Sequence, residues 1–280
     1  MTGLKRCAAV SSWLLLGGAV LAHQGTAALA AAEYARLGWL FGTRFDLVAV
    51  TFVLATALIG LGVSARVAAR ASTGSVELRR LIRSGRRPCP AAVREAAAAV
   101  GLDGRVDVAD SGEAFAVTYG LFRPRVVVGA GLAGVLSPAE LSAVLAHERC
   151  HLRHRDPLRL LAARLLAGYA CWLPVTGWLA DRLALRLELA ADADAAERCG
   201  RGALAGALLK LGDTQPCPAM AGASRRGSLE ARVAQLEGGK PARPRLARAK
   251  LAASACNLAV LLAAGTCCVG LSQALPGGVL

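Results

Sequence analysis

Three long stretches without Asp, Glu, Lys or Arg limit how this chain can fold: Cys7–Ala32, Leu47–Ala65 ("LVAVTFVLATALIGLGVSA") and Leu251–Leu271 ("LAASACNLAVLLAAGTCCVGL"). A hydrocarbon core is crossed by about 20 apolar residues, so each is long enough. Backbone groups find no water there, and a spanning segment must satisfy them internally as a helix. The chain is therefore expected to be mainly α, with about three transmembrane helices. Two of these fall within residues 1–66 and one within 251–272. The first stretch, with Lys5 and Arg6 before it and Ala28-Leu29-Ala30 near its end, also has the layout of a signal peptide. Because the second stretch follows so closely, a retained anchor is the preferred reading.

Charge gives these helices a direction. The net charge is +14, but Ser64–Ala91 holds seven Arg against one Glu, and Ala221–Lys250 holds eight Lys or Arg against two Glu. Each basic run abuts an apolar stretch, and neither interleaves aromatics for base stacking. They read as the cytoplasmic flanks of membrane helices rather than as a nucleic-acid surface. The loop between the first two stretches balances Glu33 and Asp46 against Arg36 and Arg44. Residues 67–250 are thus expected in the cytoplasm, in a multi-pass protein of the cell membrane. Nine residues follow Leu271, so no extracellular sensor is expected. The nine cysteines form no C-x-x-C pair and read as small buried hydrophobes in a reducing compartment.

A further apolar stretch, Leu158–Ala180, is interrupted by Arg159, Arg164, Pro174 and Gly177. It predicts a helical hairpin at 158–187, turning near "WLPVTG". Two positions for it stay open, on or in the membrane interface or buried within the soluble domain.

The chemistry lies between. "AHERCHLRHRDPL", residues 146–158, contains three of the four histidines. Ser137-Pro138-Ala139-Glu140 predicts a capped helix start, and Asp156-Pro157 its end. On that helix Leu141, Val144, Leu145 and Leu152 form an apolar stripe. His147 and His151, four apart, share a face and can grip one ion. Glu148 lies about 100° round the helix, where it can take a proton from water without being a ligand. That division of labour suits zinc hydrolysis, which needs a third protein ligand and an open position. His154 is seven residues from His147, about 10.5 Å along a helix, and reads as a surface or supporting histidine. Carboxylates remain. "LRLELAADADAAERCG" places Glu188, Asp192 and Asp194 on a second helix, with Glu188 and Asp192 sharing a face. One of those two can bind the metal while the other orients a histidine. Upstream, Ala114–Tyr119 and Arg125–Gly129 read as two strands joined by a turn. They form either an edge that pairs with an extended peptide or an ordinary hairpin over the helix.

Taken together, "AFAVTYGLFRPRVVVGAGL", "LSPAELSAVLAHERCHLRHRDPL", "WLPVTGWLADRLALRLELAADADAA" and "SLEARVAQL" resemble the BlaR/MecR-type membrane zinc metallopeptidases. The pattern is more distantly similar to HtpX-like and CAAX-prenyl proteases, and it covers roughly residues 105–240. The resemblance implies a gluzincin-like fold with His147, His151 and Glu188 on one Zn2+ per chain, Glu148 as general base, and Asp192 orienting a ligand histidine. It implies a zinc endopeptidase acting on a cytoplasmic or membrane-associated protein, such as a transcriptional repressor. General membrane-protein quality control and a non-catalytic signalling scaffold are the alternatives, and the intact Glu148 speaks against the scaffold. Two departures from the pattern matter. No penicillin-binding sensor is expected after Leu271, and Glu113 stands where distant relatives often carry Asn.

Overall fold

The computed structural model describes residues 18, 23, 25, 27, 44–84, 88–211, 225–241 and 245–274. The first apolar stretch, apart from four isolated positions, lies outside the described residues. In chain order the elements are α1 (Arg44–Ser84), α2 (Ala91–Ala99), β1 (Val106–Ala109), β2 (Ala116–Tyr119), β3 (Arg125–Gly129), α3 (Leu132–Val135), α4 (Pro138–His154), α5 (Asp156–Tyr169), α6 (Pro174–Cys199), α7 (Arg201–Leu211), α8 (Arg225–Leu236) and α9 (Arg248–Ala274). The described chain is mainly helical, with one three-stranded sheet. Among the described residues one helical segment, Val48–Arg80, is long and apolar enough to cross a membrane. The third apolar stretch lies within α9.

The chain divides into two compact units. One contains residues 68–162 and 180–244. Its sheet has the order β1-β3-β2, with β1 parallel and β2 antiparallel to β3. Strand alternation gives the sheet two apolar faces. Ala116, Val126 and Val128 pack with Val93, Ala96 and Ala97 of α2 and with Leu141, Val144, Leu145 and Leu152 of α4. On the other face Phe115, Val117 and Val127 pack with Ile82 of α1. The predicted stripe of α4 is therefore the buried one.

The start of α4 forms as its residues dictate. The Ser137 hydroxyl accepts from the Glu140 amide at 3.4 Å, and the Glu140 carboxylate accepts from the Ser137 amide at 2.7 Å. Lys210 of α7 closes on the same carboxylate at 2.7 Å, tying the helix start to a second helix. The helix ends two residues before the expected Asp156. Arg155 adopts a left-handed conformation with φ 53°, and Asp156 opens α5 instead.

The other unit comprises residues 1–67, 163–179 and 245–280. Here α5 ends at Tyr169 and α6 begins at Pro174, so the helical run breaks near the expected "WLPVTG". A break between helices leaves backbone groups without intrahelical partners, and hydroxyl and amide side chains serve them. The Thr176 hydroxyl lies 3.0 Å from the Ala170 carbonyl and 2.8 Å from that of Leu173. Asn257 of α9 donates to the Trp172 carbonyl at 2.6 Å, and the Ser254 hydroxyl accepts from the Val175 amide at 3.0 Å. Ser64 of α1 donates to the Leu165 carbonyl at 2.9 Å. A Cβ at Gly60 would run into the Tyr169 carbonyl, so only glycine allows α1 this close to the end of α5.

Candidate metal centre

Two helices build the site. The rise and turn of α4 bring His147 and His151 onto one face, and their Nε2 atoms converge to 3.1 Å. From α6, Glu188 places Oε2 3.5 Å from His147 Nε2 and Oε1 3.5 Å from His151 Nε2. Two imidazole nitrogens and a carboxylate meeting at one point form an acceptor-rich cluster suited to a cation. All three donor atoms lie within 4.8 Å of one another. A tetrahedral zinc with ligand bonds of about 2.0–2.1 Å spaces its ligand atoms about 3.3 Å apart. The separations here bracket that value, so this donor set fits the ion that the sequence predicts.

The outer nitrogen of each histidine is also engaged. His147 Nδ1 lies 2.9 Å from Asp192 Oδ1, a close charge contact rather than a well-aligned hydrogen bond. His151 Nδ1 lies 3.0 Å from Asp156 Oδ2. Carboxylates in these positions fix ring orientation and make the inward nitrogen a better ligand. Both carboxylates are themselves held by arginine. Arg232 of α8 grips Asp192 through two contacts of 2.6 and 2.7 Å and reaches Glu188 at 3.4 Å. Arg159 holds Asp156 at 2.8 Å.

Buried charge sets the titration of this group. Burial opposes charging of His147, yet the Asp192 and Glu188 carboxylates outweigh it and push the imidazole up to about 10. Burial raises the Glu188 carboxyl, while the hydrogen bond from His147 and the charges of His151, His147 and Arg232 outweigh that and hold it at about 2. Asp192 is likewise driven well below the ordinary carboxylate range, because His147 and Arg232 overcome its burial. Without a metal, the network is thus a set of mutually compensating charges.

Of the residues predicted from sequence, His147, His151, Glu188 and Asp192 come together, and Glu148 lies buried beside them on α4. His154 does not join them. It is exposed, with Nδ1 donating to the Cys150 carbonyl of its own helix at 2.9 Å. Asp194 also stands apart, paired with Arg198 at 2.8 Å. Three contributors escaped residue-level reading. Asp156 looked like a helix stop, Arg232 lay in the quoted "SLEARVAQL" with no role attached, and Thr118 looked like one more strand residue. The available signal was for Arg232, a cation in a segment that recurs in the family pattern.

A helix with H-E-x-x-H, a distal glutamate from a second helix and a strand alongside define a candidate metallopeptidase centre. Residues 89–210 match the model of Peptidase family M48. Within the curated relatives, a Protease HtpX homolog of Acidiphilium cryptum (strain JF-5) is 42% identical over 59 residues, 21% of each chain. A second Protease HtpX homolog, from Thermoplasma acidophilum (strain ATCC 25905 / DSM 1728 / JCM 9062 / NBRC 15155 / AMRC-C165), is 44% identical over 57 residues. That match is 20% of this chain and 18% of the relative. The chain therefore spans about a fifth of the length of the curated relatives it matches. Both are of the HtpX kind, which the motifs alone rank behind the BlaR/MecR type.

Proposed function

We propose that the protein is a membrane-anchored zinc endopeptidase. His147, His151 and Glu188 are the ligands, Glu148 is the general base, and Asp192 orients His147. The convergence of His147 Nε2, His151 Nε2 and the Glu188 carboxylate at 3.1–3.5 Å carries this reading. A zinc ion held there supplies Lewis acidity to water and to the scissile carbonyl. Glu148 takes a proton from the attacking water as oxygen bonds to the carbonyl carbon. It returns that proton to the amide nitrogen as the C–N bond breaks. Strand β2 is one of the two edges of its sheet among the described residues, so an extended peptide can pair with its main chain, giving affinity with little side-chain demand. The substrate is a cytoplasmic or membrane-associated protein. A repressor as substrate rested on the BlaR/MecR likeness, and the HtpX kinship favours the alternative of membrane-protein quality control.

Glu148→Gln keeps the shape of the side chain and removes its basicity. The purified variant should hold zinc and lose roughly 10²–10⁴-fold or more in cleavage of unfolded casein. Undiminished cleavage would contradict the assignment of the base. The two basic runs also motivate a cytoplasmic domain in a multi-pass arrangement. Reporter fusions after Leu280 and between Gly238 and Gly239 should report opposite sides of the membrane, and the same side for both would end this topology.

A further inference from the structure

We propose that Thr118 is a positioning residue for the base: its hydroxyl pins one oxygen of the Glu148 carboxylate and leaves the other free to take the proton. The inference rests on the peptidase reading above and extends it to a residue outside the metal motif.

Alternation along β2 puts Phe115 and Val117 on the face that packs with Ile82, and Ala116 on the face that packs with α4. Thr118 shares the register face of Ala116, so it occupies a buried seat where an apolar side chain would serve the core. A hydroxyl buried there is costly unless it is hydrogen-bonded. Its oxygen lies 2.7 Å from Glu148 Oε2 and 2.9 Å from the Glu148 carbonyl. It has one proton to give. The carbonyl sits within α4, where the amide four residues on serves it. The carboxylate is the stronger, charged acceptor, and 2.7 Å is the usual length for such a bond.

Among the described residues, Thr118 is the only side chain hydrogen-bonded to Glu148, and Oε1 has no hydrogen-bond partner. The two carboxylate oxygens are therefore not equivalent. Oε2 is anchored to the edge strand, and Oε1 is the proton acceptor. Glutamate has three side-chain torsions, and without the anchor the base would be distributed over several positions. Misplacement of a reacting group by about 1 Å can cost on the order of 100-fold. The same strand that would pair with substrate thus also orients the base.

The test uses the full chain in detergent micelles. Thr118→Val keeps the β-branched shape without the hydroxyl, and Thr118→Ser keeps the hydroxyl. With unfolded casein as substrate, Thr118→Val should lower kcat roughly 10- to 100-fold while KM and zinc content stay near wild type. Thr118→Ser should recover most of the loss. A second readout needs no activity. In the metal-free protein, the fall in Tm caused by Thr118→Val should largely vanish in a Glu148→Ala background, because the partner is already gone. Unchanged kcat in an active Thr118→Val enzyme, or fully additive Tm losses, would overturn the proposal. If wild type shows no zinc-dependent cleavage, the peptidase reading fails, and the Tm cycle alone decides whether Thr118 holds Glu148.

Discussion

The metal centre and the break between α5 and α6 serve their polar groups by different means. At the metal centre the buried groups are charged and compensate one another: His147 lies against Asp192 and Glu188, and Arg232 against both carboxylates. Around the break between α5 and α6 the supporting groups are neutral. Thr176, Ser254, Asn257 and Ser64 use hydroxyls and an amide to complete the backbone there. The difference follows from what each region replaces. A helix break leaves backbone groups without intrahelical partners, and short polar side chains supply them without a net charge. A site for a divalent cation needs convergent negative and lone-pair donors, which must be held apart and neutralised when buried. One solution serves folding, and the other serves chemistry.

The contrast can be broken first at Arg232. If this guanidinium holds Asp192, and Asp192 holds His147, then Arg232→Met should weaken zinc binding about 10- to 100-fold. The measurement is competition against a chelator of known affinity. Wild-type affinity in Arg232→Met would show that α8 is only packing.

A smaller effect separates the two regions by pH in the metal-free protein. Glu188 is depressed to about 2, so its ion pairs stabilise fully above the unfolded value of 4.5 and fade as pH falls toward 2. His147 is raised to about 10, so its contribution is full below 6.5 and fades as pH rises toward 10. Both contributions coincide between about 4.5 and 6.5. Hydrogen exchange, corrected for the intrinsic pH dependence, should show α4 and α6 best protected in that window. Protection around the Tyr169–Pro174 turn should follow a different pH course, since Thr176, Ser254, Asn257 and Ser64 do not titrate and His23, bonded to Tyr169 at 2.9 Å, is the ionisable side chain beside it. Equal pH dependence in both regions would contradict the comparison.

Sequence reading reached the parts whose signals are local. The capping box at Ser137–Glu140, the stripe of α4 and the four-residue spacings within each helix follow from periodicity, and the structure reproduces them. The break between α5 and α6 before Pro174 was legible because proline cannot continue the preceding helix. Strand β1, "VDVA", was not found, since four residues are too few to show a period and its pairing with β3 is long-range. The first expected strand begins at Ala116 rather than Ala114. Thr118, Asp156 and Arg232 act across 30, 5 and 40 residues of sequence. Long-range partnerships leave no trace in spacing, and Asp156 was hidden because Asp-Pro reads equally well as an end or a beginning.

The central claim is that His147, His151 and Glu188 hold one metal ion and that His154 does not. Zinc content of the purified variants tests it most directly. Glu188→Ala removes the only ligand contributed by α6 and should lose most of the bound zinc. His154→Ala removes an exposed side chain bonded to its own helix and should retain about one ion per chain, as wild type does. An empty site in His154→Ala together with a full one in Glu188→Ala would contradict the account.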